Sequence, residues 1–176
     1  MGGKGEAKMN KKILAVGFVF LCLTIGYTTL ARADVTGKTV PVISQSFASR
    51  QVWPGETWKV YLNASDPNGE MKNIFAVVEQ PGLGPYPLSI TRIRKENRKE
   101  ISGYVYLVTS APNYSLNFIN LSLTIWVQDH SGNFSAPVTL PLSINSRYTQ
   151  EAAPSGVYKE HDLGPVMVNL RTVGQD

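Results

Sequence analysis

The sequence predicts an all-β fold, an antiparallel β-sandwich of about seven strands that follows an N-terminal leader. Three observations predict it. Apolar residues alternate with period two through several short runs, Gly, Pro, Asn and Asp clusters punctuate those runs, and nothing after the leader keeps a long 3.6-residue period.

The leader comes first. Lys11 and Lys12 precede an apolar run from Ile13 to Leu30, and Ala31-Arg32-Ala33 makes a small-x-small site before Asp34. A basic flank, an apolar centre and an A-x-A site are the marks of a secretory signal peptide, here residues 1–33, removed on export. The expected location is therefore periplasmic, cell-surface or secreted. The run reaches the lower limit for spanning a bilayer, so retention as an anchor is the second reading, and membrane contact is expected only through such an uncleaved leader. The one cysteine, Cys22, lies inside the apolar run rather than at its end, which does not fit a lipid anchor.

The leader holds five of the 17 basic residues and one of the 13 acidic ones, leaving 12 of each and zero net charge over 34–176. The high isoelectric point thus belongs to the leader, and no nucleic-acid partner is expected. Without cysteine, residues 34–176 can form no disulfide, thiolate metal site or cysteine nucleophile, and stability must come from the core.

The strands follow in order. Thr39–Phe47 is the first, with Pro41 marking an edge. After the turn Trp53-Pro54-Gly55-Glu56, Thr57–Ala64 puts Trp58, Val60, Leu62 and Ala64 on one face. Asp66-Pro67-Asn68-Gly69 turns the chain. Ile74–Val78 is almost continuously apolar, as expected of a central strand buried on both sides. Pro81–Pro85 breaks the chain before Leu88–Ile93, and the charged turn Arg94–Glu100 leads into Ile101–Thr109. Ser110–Asn120 is a polar loop. Leu121, Leu123, Ile125 and Val127 then alternate with polar residues and Trp126, and Asp129–Asn133 connects tightly to Val138–Ile144. This last pair reads as a hairpin, with Pro141 again marking an edge.

Two stretches, Trp58–Gly69 and Ile125–Ile144, resemble bacterial extracytoplasmic immunoglobulin-like, fibronectin-type and cadherin-like modules. The resemblance implies an immunoglobulin-like antiparallel β-sandwich over 34–145, with the second–third and sixth–seventh loops at one end. The chain departs from antibody domains in lacking the intersheet cysteine pair. Residues 146–176 follow as a tail: 146–158 reads as linker, and Gly164–Thr172 as a strand, with Val166, Val168 and Leu170 on one face. Such a segment can pair with its own sheet edge or add to a neighbour's edge.

Candidate sites follow from this frame. Asp66, Asn68 and Glu70, with Asp129, Ser131 and Asn133, could offer calcium the hard oxygen ligands it takes. The same residues are also ordinary turn formers. Tyr61 and Trp126 point away from the predicted core and could anchor a protein or stack on a sugar, unless a loop or the tail covers them. Arg92, Arg94, Lys95, Arg98 and Lys99, interspersed with Glu96 and Glu100, could meet an anionic polymer or simply form a solvated tip. His130 and His161 belong to no catalytic motif, and a hydrolase would have only Asp66 and Asp129 as a carboxylate pair. The expectation is a non-catalytic exported protein acting in protein–protein interaction, adhesion or assembly. It would bind a protein partner or itself through Tyr61, Trp126, Val166, Val168 and Leu170. The alternative is a calcium- or carbohydrate-binding recognition module, calcium being the one cofactor considered.

Overall fold

A computed structural model describes residues 39–109 and 116–171. The leader, 110–115 of the expected polar loop, and 172–176 with the last residue of the expected tail strand lie outside the described residues. The strands are β1 (Val42–Ala48), β2 (Gln51–Val52), β3 (Thr57–Ser65), β4 (Met71–Gln80), β5 (Gly84–Pro85), β6 (Ser89–Arg92), β7 (Glu100–Val108), β8 (Ile119–Asp129), β9 (Val138–Ile144) and β10 (Asp162–Pro165). The charged turn holds one 3-10 turn, Lys95–Asn97. Among the described residues no helix is long and apolar enough to cross a membrane.

Two sheets form, one ordered β1-β3-β7-β10 and the other β2-β9-β8-β4-β5, with β6 also paired to β4. Period-two alternation sets which side chains meet between them. Trp58, Val60 and Leu62 of β3, Ile101, Val105 and Leu107 of β7, and Leu121, Leu123, Ile125 and Val127 of β8 are all buried in one apolar cluster. Trp58 is wholly buried, and its indole N–H donates to the Ser49 carbonyl at 2.7 Å. The edge signals read from proline agree with the pairing. β1 is an outer strand, and β2 pairs with β9 only at Ser143 and Ile144, leaving Pro141 without an outer neighbour.

One strand differs from expectation. β4 is central and longer than Ile74–Val78, but it is not buried on both faces: Ile74, Ala76 and Val78 point inward while Phe75 and Val77 are half-buried on the outer side. A continuous apolar run here reflects an apolar outer face rather than a second covering layer.

The order is that of an immunoglobulin-like sandwich, with β1, β3 and β7 in the places of strands A, B and E. In the constant-type arrangement a strand D lies beyond E. Here β6 stays bonded to β4, and the place beside β7 is taken by β10, running parallel to it. Two glycines permit this. A Cβ on Gly103 would collide with the His161 carbonyl oxygen, whose acceptor role for the Tyr104 N–H (2.8 Å) holds the segment in place. Gly164 adopts φ +134, and a Cβ there would sit 2.6 Å from the Thr91 methyl. The predicted strand 164–172 is thus corrected: pairing covers Asp162–Pro165, and at Val168 the N–H turns back to the Val166 carbonyl (3.0 Å) instead of a sheet partner. Val166 nevertheless enters the core at 4 % exposure, and the segment bonds to β6 through Thr91 and Ser89. It therefore closes the seam between the two sheets.

Candidate functional site

The two outer faces of the sandwich carry similar aromatic rows and differ in what covers them. On the first sheet, Tyr61 packs against Phe47, Tyr104 and Tyr158, with centroids 5.5 Å from the last two. Residues 146–158, expected as linker, and 159–161 after them lie across this face. The Gln150 amide accepts from Lys59 N–H and donates to the Thr57 carbonyl, both at 3.1 Å, substituting for a peptide group where β1 has ended. Asn63 donates to the Val157 carbonyl, and Lys159 N–H donates to Ser102 Oγ. Tyr61 faces away from the core as predicted, yet it is only 6 % exposed because the tail covers it.

Charge fastens this cover. Glu160 accepts from Lys59 Nζ at 2.8 Å and from the Tyr61 hydroxyl at 2.6 Å, while the same ammonium lies 4.4 Å from the Tyr104 ring centroid. The hydrogen bond from Lys59, then that from Tyr61, holds the Glu160 carboxyl below its ordinary value. The bond to Glu160 raises Lys59, and burial followed by the Glu160 bond raises the Tyr61 phenol. All three are thereby held in the protonation states that bond one another at neutral pH.

The second sheet's outer face has no such cover among the described residues. Register aligns its rows: Ile90, Phe75 and Trp126 lie side by side, as do Arg92, Asn73 and Gln128 in the next row. The Phe75 and Trp126 rings are near parallel (7°) with centroids 6.1 Å apart, and Phe134 meets Phe75 edge-on at 5.6 Å. Phe134 is brought there by a single bridge from the β8–β9 loop to Gln128. Trp126, Phe134, Ser135 and Pro137 line an open hollow of about 350 Å³. Ile90 is 54 % exposed and Phe134 47 %. Polar groups border the apolar strip: Asn73 bonds to Gln128, and the Thr124 and Thr139 hydroxyls pair across β8 and β9.

The remaining predicted site residues are placed as follows. Tyr61 and Trp126 are not brought together; they lie on opposite faces. Val166, Val168 and Leu170 all pack on this chain's own core. The two candidate calcium loops do share one end, joined by the His130 N–H and the Glu70 carbonyl at 2.9 Å. Their buried carboxylates, however, serve their own loops. Asp66 accepts from the N–H groups of Asn68 and Glu70, and Asp129 from the N–H and side-chain amide of Asn133. Among the described residues no three His, Cys, Asp or Glu side chains cluster as metal ligands. Sequence reasoning missed Phe75, Ile90 and Phe134. Phe75 was hidden in an apolar run read as wholly buried; Ile90 shares the parity of Arg92 on a short strand, a signal that was present.

No family model matches the chain, and no curated protein matches it. A solved structure of fibronectin(III)-like modules of Clostridium thermocellum CbhA is similar at 13 % identity with a TM-score of 0.39, covering 66 % of this chain and 53 % of that one. The chain thus spans about half the length of that structure.

Proposed function

We propose that this protein is a non-catalytic interaction module that acts outside the cytoplasm and docks a protein partner, or a second copy of itself, on the outer face of the second sheet. One observation carries the reading: of two aromatic outer faces, the chain covers one with its own tail and lays no such cover over the other among the described residues, where Ile90 and Phe134 are exposed beside the half-buried Phe75 and Trp126. Aromatic anchors with a polar border are the composition of protein-binding patches. The export part of the reading rests on the leader sequence alone. That Asp66 and Asp129 spend their carboxylates on their own turns favours a scaffold role for those loops.

A photo-reactive residue at position 134, compared with one at Val157 on the tail, tests the reading in cells that make the protein. Polypeptide adducts formed at 134 and lost with Trp126→Ser support it; adducts to this same chain identify self-association. Equal labelling at both positions, or adducts indifferent to Trp126, would refute it.

A further inference from the structure

The basic turn and the aromatic strip belong to one surface, and Arg92 joins them. It stands in register with Asn73 and Gln128, one row from Ile90, Phe75 and Trp126. Two residues along a strand is a separation of roughly 7 Å, so a single partner covers both rows. On the other side, Arg92 lines a shallow hollow with Arg94, Lys95 and Arg98. Five cations, counting Lys99, stand with Glu96 and Glu100 in this stretch, while Asp162 lines a hollow with Arg92 and Arg94, and Glu160 another with Arg94. The one ion pair among the described residues, Lys59–Glu160, lies on the other sheet, so none of the five is paired to a described carboxylate. Because residues 34–176 carry no net charge, this is a local concentration and not a general basicity.

The apolar part of the surface selects between partner classes. Ring platforms with a polar border suit a glycan and a polypeptide alike, so the aliphatic part of the strip decides between them. Here the strip extends into aliphatic side chains: Ile90, beside Phe75 in the same row, is 54 % exposed, and Leu88, of the same parity, is 48 % exposed. Branched aliphatics gain from burial against other apolar side chains, not from sugar hydroxyls.

We infer that the partner is an acidic polypeptide segment whose apolar side chains seat on Trp126, Phe75, Phe134 and Ile90 while its carboxylates meet Arg92, Arg94, Lys95 and Arg98. This rests on the docking face proposed above and adds the partner's chemistry. The cations lie at the rim, so they steer association and set its salt dependence, while the aromatic centre supplies the anchor.

The test uses the full chain and synthetic peptides of about twelve residues in which Leu and Phe alternate with Glu, with Gln, or with Lys. Alginate serves as an acidic glycan. Nuclear magnetic resonance follows Trp126, Phe134, Ile90 and Arg92. The Glu peptide is expected to move these four together and to bind roughly tenfold more tightly than the Gln peptide at low salt, several rim pairs acting at once. That advantage should fade at about 0.5 M salt and with the triple variant Arg92→Glu, Arg94→Glu, Lys95→Glu. Glu and Gln peptides binding equally at Trp126 would overturn the acidic partner and leave the docking face standing. Alginate binding there in preference to every peptide would overturn the polypeptide assignment. If no peptide moves Trp126 or Phe134, the docking face falls as well.

Discussion

Replacing Gly103 with alanine is expected to expel the C-terminal segment from the seam while leaving the sandwich folded. Gly103 has no positive φ, so β7 itself accepts a side chain there. The methyl group would instead strike the His161 carbonyl and the Leu163 side chain. Expulsion forfeits the backbone bonds Tyr104 N–H to His161 and Val166 N–H to Tyr106 (2.7 Å) and the burial of Val166, while the Thr91 and Ser89 hydroxyls exchange their bonds to the segment for water. Two net hydrogen bonds at about 1 kcal/mol each and a valine at about 2 kcal/mol give a gross loss of roughly 4 kcal/mol. Freed residues recover part of that as chain entropy, so a net loss of about 2–3 kcal/mol is expected, roughly 6–12 °C in Tm for a domain of this size. The assay is urea unfolding of four chains: parent and Gly103→Ala, each full-length or ending at Glu160. In the shortened chain the substitution should be neutral, or stabilising by up to about 1 kcal/mol, because alanine restricts the unfolded state. The cycle isolates the tail's contribution. An equal effect in both lengths would refute the argument that Gly103 exists to admit His161.

Three further outcomes follow from the same contacts. Trp58→Phe should cost about 2–4 kcal/mol by calorimetry, since it strands the Ser49 carbonyl and leaves a cavity in the core. For Glu160, whose folded pKa is depressed, the stabilising contribution is present above its ordinary value and is lost as pH falls through the folded one. The pair is solvent-exposed, so a small stability gap between parent and Glu160→Gln at neutral pH should close in acid and shrink with salt, as melting curves across pH would show. Calcium against chelator should leave the melting temperature unchanged, because Asp66 and Asp129 already have loop donors on both oxygens; a clear rise with calcium would show that those bonds yield to the ion.

Period-two patterning was enough to read β3, β7, β8 and β9 and their buried residues, since a half-buried strand writes its facing directly into alternation. It misread Ile74–Val78, where an apolar outer face imitates burial on both sides. The tail was harder. Val166 was visible as apolar, but its destination depends on an absent side chain at Gly103 and on which side of the sandwich lacks a strand D, and neither is encoded within the tail. Tyr61 and Trp126 illustrate the same limit. Both alternate outward from a core strand, yet one is covered and the other only bordered, because cover comes from residues nearly a hundred positions away. Phe134 reaches the exposed strip through one loop bridge that no local pattern announces.

The place of β10 has a consequence for how the molecule is made. β10 follows the other nine described strands in the chain and completes the border next to β7, so every nascent chain passes through an interval with β7's flank bare and the Tyr61 cluster wet. Unpaired strand borders invite pairing with another chain. Premature termination anywhere before His161 would make that interval permanent, which predicts aggregation, rather than simple instability, as the fate of shortened products.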